Sequence, residues 1–132
     1  MSDKPLRHEH LLIQAYIKKP IMDEEIAKKW LSDLIEKVGM KLAAGPVAHF
    51  VDTPGNEGIT AAACLMTSHC SIHFWSNLTV PLAQMDIYSC SEVDLNVVFD
   101  HFAMMEPISL EYKFLNRDGG FKTISEGTKT FE

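Results

Sequence analysis

The order strand, helix, strands occurs twice in this chain, and that repeat most limits what it can fold into. His10-Leu11-Leu12-Ile13-Gln14-Ala15-Tyr16-Ile17 is apolar and β-compatible and stops at Lys18-Lys19-Pro20, which predicts a first strand ending in a turn. Asp23 is placed to cap a helix. Ile26, Trp30, Leu31, Leu34, Ile35 and Val38 follow at helical spacing, Glu24 and Glu25 complement the helix dipole, and Gly39 closes the run. Lys41 to Asp52 carries a weaker strand signal broken by Gly45-Pro46, and Thr53-Pro54-Gly55-Asn56-Glu57-Gly58 is a loop by its turn chemistry. Ile59 to Met66 and Ser71 to Trp75 are short apolar runs consistent with strands, with Ser68 and His69 at their junction. After a polar turn at Ser76-Asn77 the order repeats: a strand from Gln84 to Cys90, a cap at Ser91-Glu92-Val93-Asp94, and a second amphipathic helix marked by Val93, Val97, Val98, Phe102 and Met105. Pro107 stops that helix. Ile108 to Leu115 supplies another strand, and a turn at Asn116-Arg117-Asp118-Gly119-Gly120 leads to a polar C-terminal strand or tail.

This order predicts an α+β fold: a two-layer α/β sandwich with a mainly antiparallel sheet, both helices on one face, and two similar strand-helix-strand halves. The halves share too little identity to prove a duplication. The other sheet face needs cover, and a second copy of the chain supplies it, so a homodimer is expected. With 132 residues the chain is expected to form one domain over residues 1–132. A net charge of −6 with scattered Lys and Arg argues against nucleic acid and suits a cationic ligand. Met1-Ser2-Asp3-Lys4-Pro5 does not read as a leader, and no apolar run approaches membrane-spanning length, so a cytoplasmic protein without a membrane partner is expected. Cys64, Cys70 and Cys90 are an odd number without disulfide-scaffold spacing and read as reduced thiols.

The chemistry concentrates in Thr67-Ser68-His69-Cys70-Ser71-Ile72-His73-Phe74-Trp75 and in Asp86-Ile87-Tyr88-Ser89-Cys90. Together Ser68, His73 and Cys90 can supply a nucleophile, a base and a proton donor. Taken singly, each has a plainer reading: a serine at a strand end is usually structural, a histidine on a sheet is usually a satisfied neighbour, and a tryptophan such as Trp75 usually packs. His69, Cys70, His73 and Cys90 are also zinc-ligand types. In an extended strand, however, His69 and His73 share a face while Cys70 points the other way, and no Cys-x-x-Cys pair is present, so no metal is expected.

Ser68, His69, Ile72, His73, Trp75, Asp86, Ile87, Tyr88 and Cys90 together resemble the prokaryotic S-adenosylmethionine decarboxylases. Those pyruvoyl enzymes typically show Glu-Ser-His-x-x-Ile-His-x-Trp-Pro-Glu and then Asp-hydrophobic-aromatic-Thr-Cys. The opening His10-Leu11-Leu12-Ile13 strand and the helix after it also fit. The resemblance implies that the Ser68 hydroxyl attacks the carbonyl of Thr67, and that the resulting ester breaks by β-elimination. Residues 1–67 then form a β chain and residues 68–132 an α chain that starts with a pyruvoyl group, the cofactor. It further implies that His73 is the base removing the Cα proton, that Thr60 stands where a serine assists processing, and that Cys90 protonates the product. Trp75 and Phe50 would stack on the adenine or frame the sulfonium of S-adenosylmethionine, whose decarboxylation feeds spermidine synthesis. The sequence departs from the pattern at Thr67, which replaces Glu, and at Ser76-Asn77, which replaces Pro-Glu; Asn77 therefore offers the ribose only neutral hydrogen bonds. Two further readings stand beside this one: a pyruvoyl decarboxylase of arginine or ornithine, and a non-cleaving paralogue with a binding or regulatory role.

Overall fold

The computed structural model describes residues 8–131, so the Met1 to Pro5 stretch lies outside the described residues. The strands are β1 (Glu9–Ile17), β2 (Leu42–Val51), β3 (Gly58–Leu65), β4 (His69–Trp75), β5 (Leu82–Ser89), β6 (Pro107–Asn116) and β7 (Lys122–Thr130). Helix α1 (Glu24–Lys37) follows β1, and α2 (Leu95–Asp100) follows β5. The strands form one seven-stranded sheet in the order β2-β3-β4-β5-β1-β6-β7, antiparallel at every pairing. This is the α+β sandwich expected. Its halves return differently. After α1 the chain goes to the edge at β2 and works inward through β3 and β4, whereas after α2 it enters beside β1 at β6 and works outward to β7.

Alternation along the strands builds the core under the helices. Leu11, Ile13, Ala15 and Ile17 of β1, Ile59, Ala61, Ala63 and Leu65 of β3, Cys70, Ile72 and Phe74 of β4, and Ala83, Met85 and Ile87 of β5 are all buried. Helix α1 sets Ala27, Trp30, Leu31, Leu34 and Ile35 against them, each large side chain contributing about 1.5–3 kcal/mol by leaving water. Asp23 caps α1 by accepting the Ile26 N–H at 3.0 Å. Ile26 itself, placed by its spacing on the apolar stripe, is 49% exposed.

The second helix is shorter than its apolar spacing predicts. Only Leu95–Asp100 is α-helical, with Asp94 accepting the Asn96 N–H, and Ala103–Met105 forms a separate 3₁₀ turn. Val93, Val98, Phe102 and Met105 are buried as the spacing predicts, but Val97 is half-buried, Phe99 outside that spacing is buried, and the segment is not one continuous helix. Val97, Val98 and Phe99 are modest helix formers, and the chain leaves the helical path where the Met105 carbonyl accepts the N–H groups of Lys18 and Lys19 at 3.2 and 3.0 Å.

The two helices are locked together by Trp30 and His101. The Trp30 indole donates to the His101 carbonyl at 3.0 Å, the His101 ring pairs with the Trp30 carbonyl at 2.8 Å, and Phe102 meets the indole edge-on at 5.3 Å. With Nε2–H donating to that carbonyl, Nδ1 is free to accept from Lys37 at 3.1 Å, so the ring is neutral. Burial pushes the His101 pKa below its ordinary 6.5, and the Lys37 charge adds to this, against the opposing pull of the Trp30 carbonyl and Asp33. The unfolded chain therefore binds this proton more readily than the folded one. The stabilisation is full above pH 6.5 and is lost as the pH falls through the lowered value. Trp30→Ala should cost about 3–5 kcal/mol in urea unfolding. His101→Gln should flatten the loss of stability between pH 7.5 and 5.5, and an unchanged slope would contradict the assignment.

Candidate active site

The alternation that commits Cys70, Ile72 and Phe74 to the helices sends His69, Ser71, His73 and Trp75 to the open face of the sheet. Cross-strand register then surrounds them. Thr60 of β3 lies opposite His73, and Gln84, Asp86 and Tyr88 of β5 lie opposite His73, Ser71 and His69. His10, Leu12 and Gln14 of β1 lie opposite Tyr88, Asp86 and Gln84. Gly58 keeps β3 in this register, because a Cβ there would sit 1.7 Å from the Phe74 carbonyl oxygen.

At one end of β4, Ser68 closes a tight connection from β3. The Leu65 N–H donates to the Ser68 carbonyl at 2.9 Å. The Thr67 and Ser68 hydroxyl oxygens are 3.3 Å apart. Continuing the pairing of His69 with Tyr88 by two residues sets Thr67 beside Cys90, and the Cys90 thiol donates to the Thr67 carbonyl oxygen at 3.3 Å. The carbonyl immediately before Ser68 thus carries a side-chain donor. Cys90 is partly exposed, whereas Cys70 is buried, and burial followed by the nearby Asp86 charge pushes its thiol pKa up. Cys64 is exposed.

At the other end, His73 Nδ1 lies 3.1 Å from the Thr60 hydroxyl, and its ring is 6.1 Å from that of Trp75. Five residues of strand separate His73 from Ser68, about 16 Å at the usual rise. The structure therefore brings Ser68, Thr67 and Cys90 together, and Thr60, His73 and Trp75 together, but puts the two groups at opposite ends of one strand. Asn77 is exposed in the loop just past the Trp75 end. Phe50 does not join Trp75. It pairs with the fully buried Ile59 and so shares the helix-side face, and its N–H donates to Glu24 of α1 at 2.7 Å. The register shift between Ala44 and Val47 resets the alternation of β2, which sequence spacing does not reveal.

Between the two ends stands an arrangement centred on Asp86. Its Oδ2 is 2.8 Å from His10 Nε2 and 3.0 Å from His69 Nε2, and its Oδ1 accepts from the Ser71 hydroxyl. The two imidazole nitrogens and the carboxylate oxygen are close enough together to share a cation. The protons argue otherwise. Arg117 Nη1 lies 3.4 Å from His10 Nδ1, which makes Nδ1 the acceptor and leaves the proton on Nε2, the nitrogen a metal would need bare. The cluster is a hydrogen-bond hub. Partial burial pushes the Asp86 pKa up, but the bonds from His10, Ser71 and His69 and the His69 charge outweigh it and hold the value at about 2. Beside the hub, a groove of about 500 Å³ is lined by Gln14, His73, Gln84, Asp86, Glu111 and Glu126 among others.

The S-adenosylmethionine decarboxylase family matches residues 9–118, which takes in both ends of β4 and the hub. The chain belongs to the S-adenosylmethionine decarboxylase family. Its fold is similar to the crystal structure of the adenosylmethionine decarboxylase from Aquifex aeolicus VF5, with a TM-score of 0.70 at 18% identity over 86% of this chain and 92% of that one. No curated protein matches. The family supports an S-adenosylmethionine decarboxylase-like function, and the structural likeness supports the fold.

In this S-adenosylmethionine decarboxylase-family chain, His10 and Asp86 gain a structural role that sequence reasoning did not assign. Only the strand register sets them beside His69, and spacing within one segment does not give it. The folded Asp86 carboxyl titrates below its ordinary 3.8, so the stabilisation it provides is full above that value and is lost as the pH falls through about 2. Carbon-13 NMR of Asp86 should give a midpoint near 2 in the folded protein. A midpoint at an ordinary aspartate value would contradict the hub.

Proposed function

We propose that this chain is a pyruvoyl-dependent decarboxylase that cuts itself before Ser68 and then removes the carboxylate of S-adenosylmethionine, supplying the aminopropyl donor for spermidine synthesis. The observation carrying this reading is the Cys90 thiol on the Thr67 carbonyl oxygen, the group that the Ser68 hydroxyl must attack. Attack places negative charge on that oxygen, where the thiol donates. The Thr67–Ser68 peptide bond then opens to an ester. Removal of the residue 68 Cα proton breaks the Cβ–O bond, freeing residue 67 as a carboxylate. Water replaces the residue 68 nitrogen, which leaves as ammonia, and a ketone remains.

That ketone takes the substrate amine and accepts the electrons released with carbon dioxide. Cys90, just past the end of β5, is the proton donor to the product carbon. The Thr60–His73 pair is too far along β4 to serve Ser68 of its own chain. A second copy laid on the open face, with its β4 reversed, would bring that pair to Ser68 and cover Leu12 and Tyr16, which are 39% and 41% exposed. The Glu111 carboxylate in the groove, where Lys113 pairs with Glu126, suits a substrate carrying ammonium and sulfonium charge, and the Trp75 ring offers a cation or an adenine its face. Among the described residues no helix is long and apolar enough to cross a membrane, and the reduced thiols fit a cytoplasmic setting.

Denaturing mass spectrometry should show two fragments split before Ser68, and Ser68→Ala should remain whole; a wild-type chain that persists at 14.8 kDa contradicts the reading. Cys90→Ala should slow cleavage by about 10-fold or more, short of the 10²–10³ lost with a strong oxyanion donor. Mixing uncut His73→Ala with Ser68→Ala should yield fragments from the His73→Ala chain alone, because its partner supplies the base; no fragments would place the base within one chain. Carbon dioxide should be released from S-adenosylmethionine and not from arginine or ornithine.

A further inference from the structure

We infer that His69, tied through Asp86 to His10, is a positioning residue that holds the start of β4 in place once the bond before Ser68 is cut. This rests on the cleavage proposed above. In the whole chain the connection Met66-Thr67 holds residue 68 from one side. Its N–H donates to the Leu65 carbonyl at 3.4 Å and its carbonyl accepts from the Leu65 N–H at 2.9 Å. Cleavage removes the covalent connection and, with the nitrogen, the first of these bonds. A new chain end held by one backbone bond frays unless it is tied down. Residue 68 has then also lost its hydroxyl, so the first side chain able to provide a tie is His69.

His69 is bound to the strand where the tie is most useful. Its Nε2 meets Asp86 Oδ2 at 3.0 Å, and Cys90 follows four residues later, just past the end of β5. The same oxygen receives His10 Nε2 from β1 at 2.8 Å, so one carboxylate joins three neighbouring strands. Arg117 fixes the His10 tautomer through Nδ1 and lies over the Tyr88 ring at 4.3 Å, which closes the arrangement from the β6 side. Hydrogen bonds to an ionised acceptor are about twice as strong as neutral ones, and a misplacement of about 1 Å costs on the order of 10²-fold in rate. Holding residue 68 against Cys90 is therefore worth more after the cut than before it.

The test compares His69→Ala with His69→Gln, which keeps an N–H donor, each in the self-cleaving chain and in the uncut Ser68→Ala background. Hydrogen exchange is read at the amides of residues 69–72, beside kcat and KM for carbon dioxide release. In the cut protein His69→Ala should exchange those amides about 10-fold faster or more and lose kcat by roughly 10- to 100-fold at nearly constant KM, while His69→Gln stays near wild type. In the uncut background protection should be unchanged. His10→Ala, which loosens only the β1 arm, should show a smaller loss in the same direction. Wild-type protection and kcat in cut His69→Ala overturn the inference, as does equal loss of protection in the uncut chain, or a folded His69→Ala chain that fails to cut. A wild-type chain that never cuts fails the pyruvoyl reading itself and this inference with it.

Discussion

The two-residue alternation of β4 is the constraint on which the rest of the molecule depends. Cys70, Ile72 and Phe74 are drawn beneath the helices by the water they exclude, and this delivers His69, Ser71, His73 and Trp75 to the opposite face without further choice. A slip of one residue would bury the histidines and expose the core. The packing of α1 through Trp30 and the glycine at Gly58 therefore serve the chemistry indirectly, since each holds β3 and β4 in the register that matters.

The same alternation divides the site. Ser68 and Cys90 stand where β4 begins, and the Thr60–His73 pair stands near its far end. Both groups lie on one exposed face, and in the reading proposed above a two-fold assembly combines them, because reversing a second copy carries each end to the other. Asp86 lies between them, bonded to β1 and β4, and donors from both strands stabilise its charge.

Much of this was legible in the sequence because it depended on local order. The helix from Asp23, the loop at Thr53 to Gly58, and the strand from Ser71 to Trp75 each follow from spacing and turn chemistry within a dozen residues. What sequence did not reveal depended on pairing between distant segments. Phe50, named with Trp75 as a stacking residue, is placed on the helix side by its pairing with Ile59. His10 and Asp86 are unremarkable until register sets them beside His69. The second helix ends at Asp100, and the later turn at Met105 is held by bonds from Lys18 and Lys19, far away in sequence. His69 and His73 share the open face, as the alternation predicts, and four residues of strand hold them about 13 Å apart.

Reductive trapping tests the central claim most directly. Cyanoborohydride added while the protein turns over S-adenosylmethionine should attach the decarboxylated substrate to a fragment whose first residue is position 68, and mass spectrometry of that fragment should locate the adduct on that residue. Recovery of an unbroken, unlabelled chain, or an adduct on a lysine elsewhere, would contradict the account.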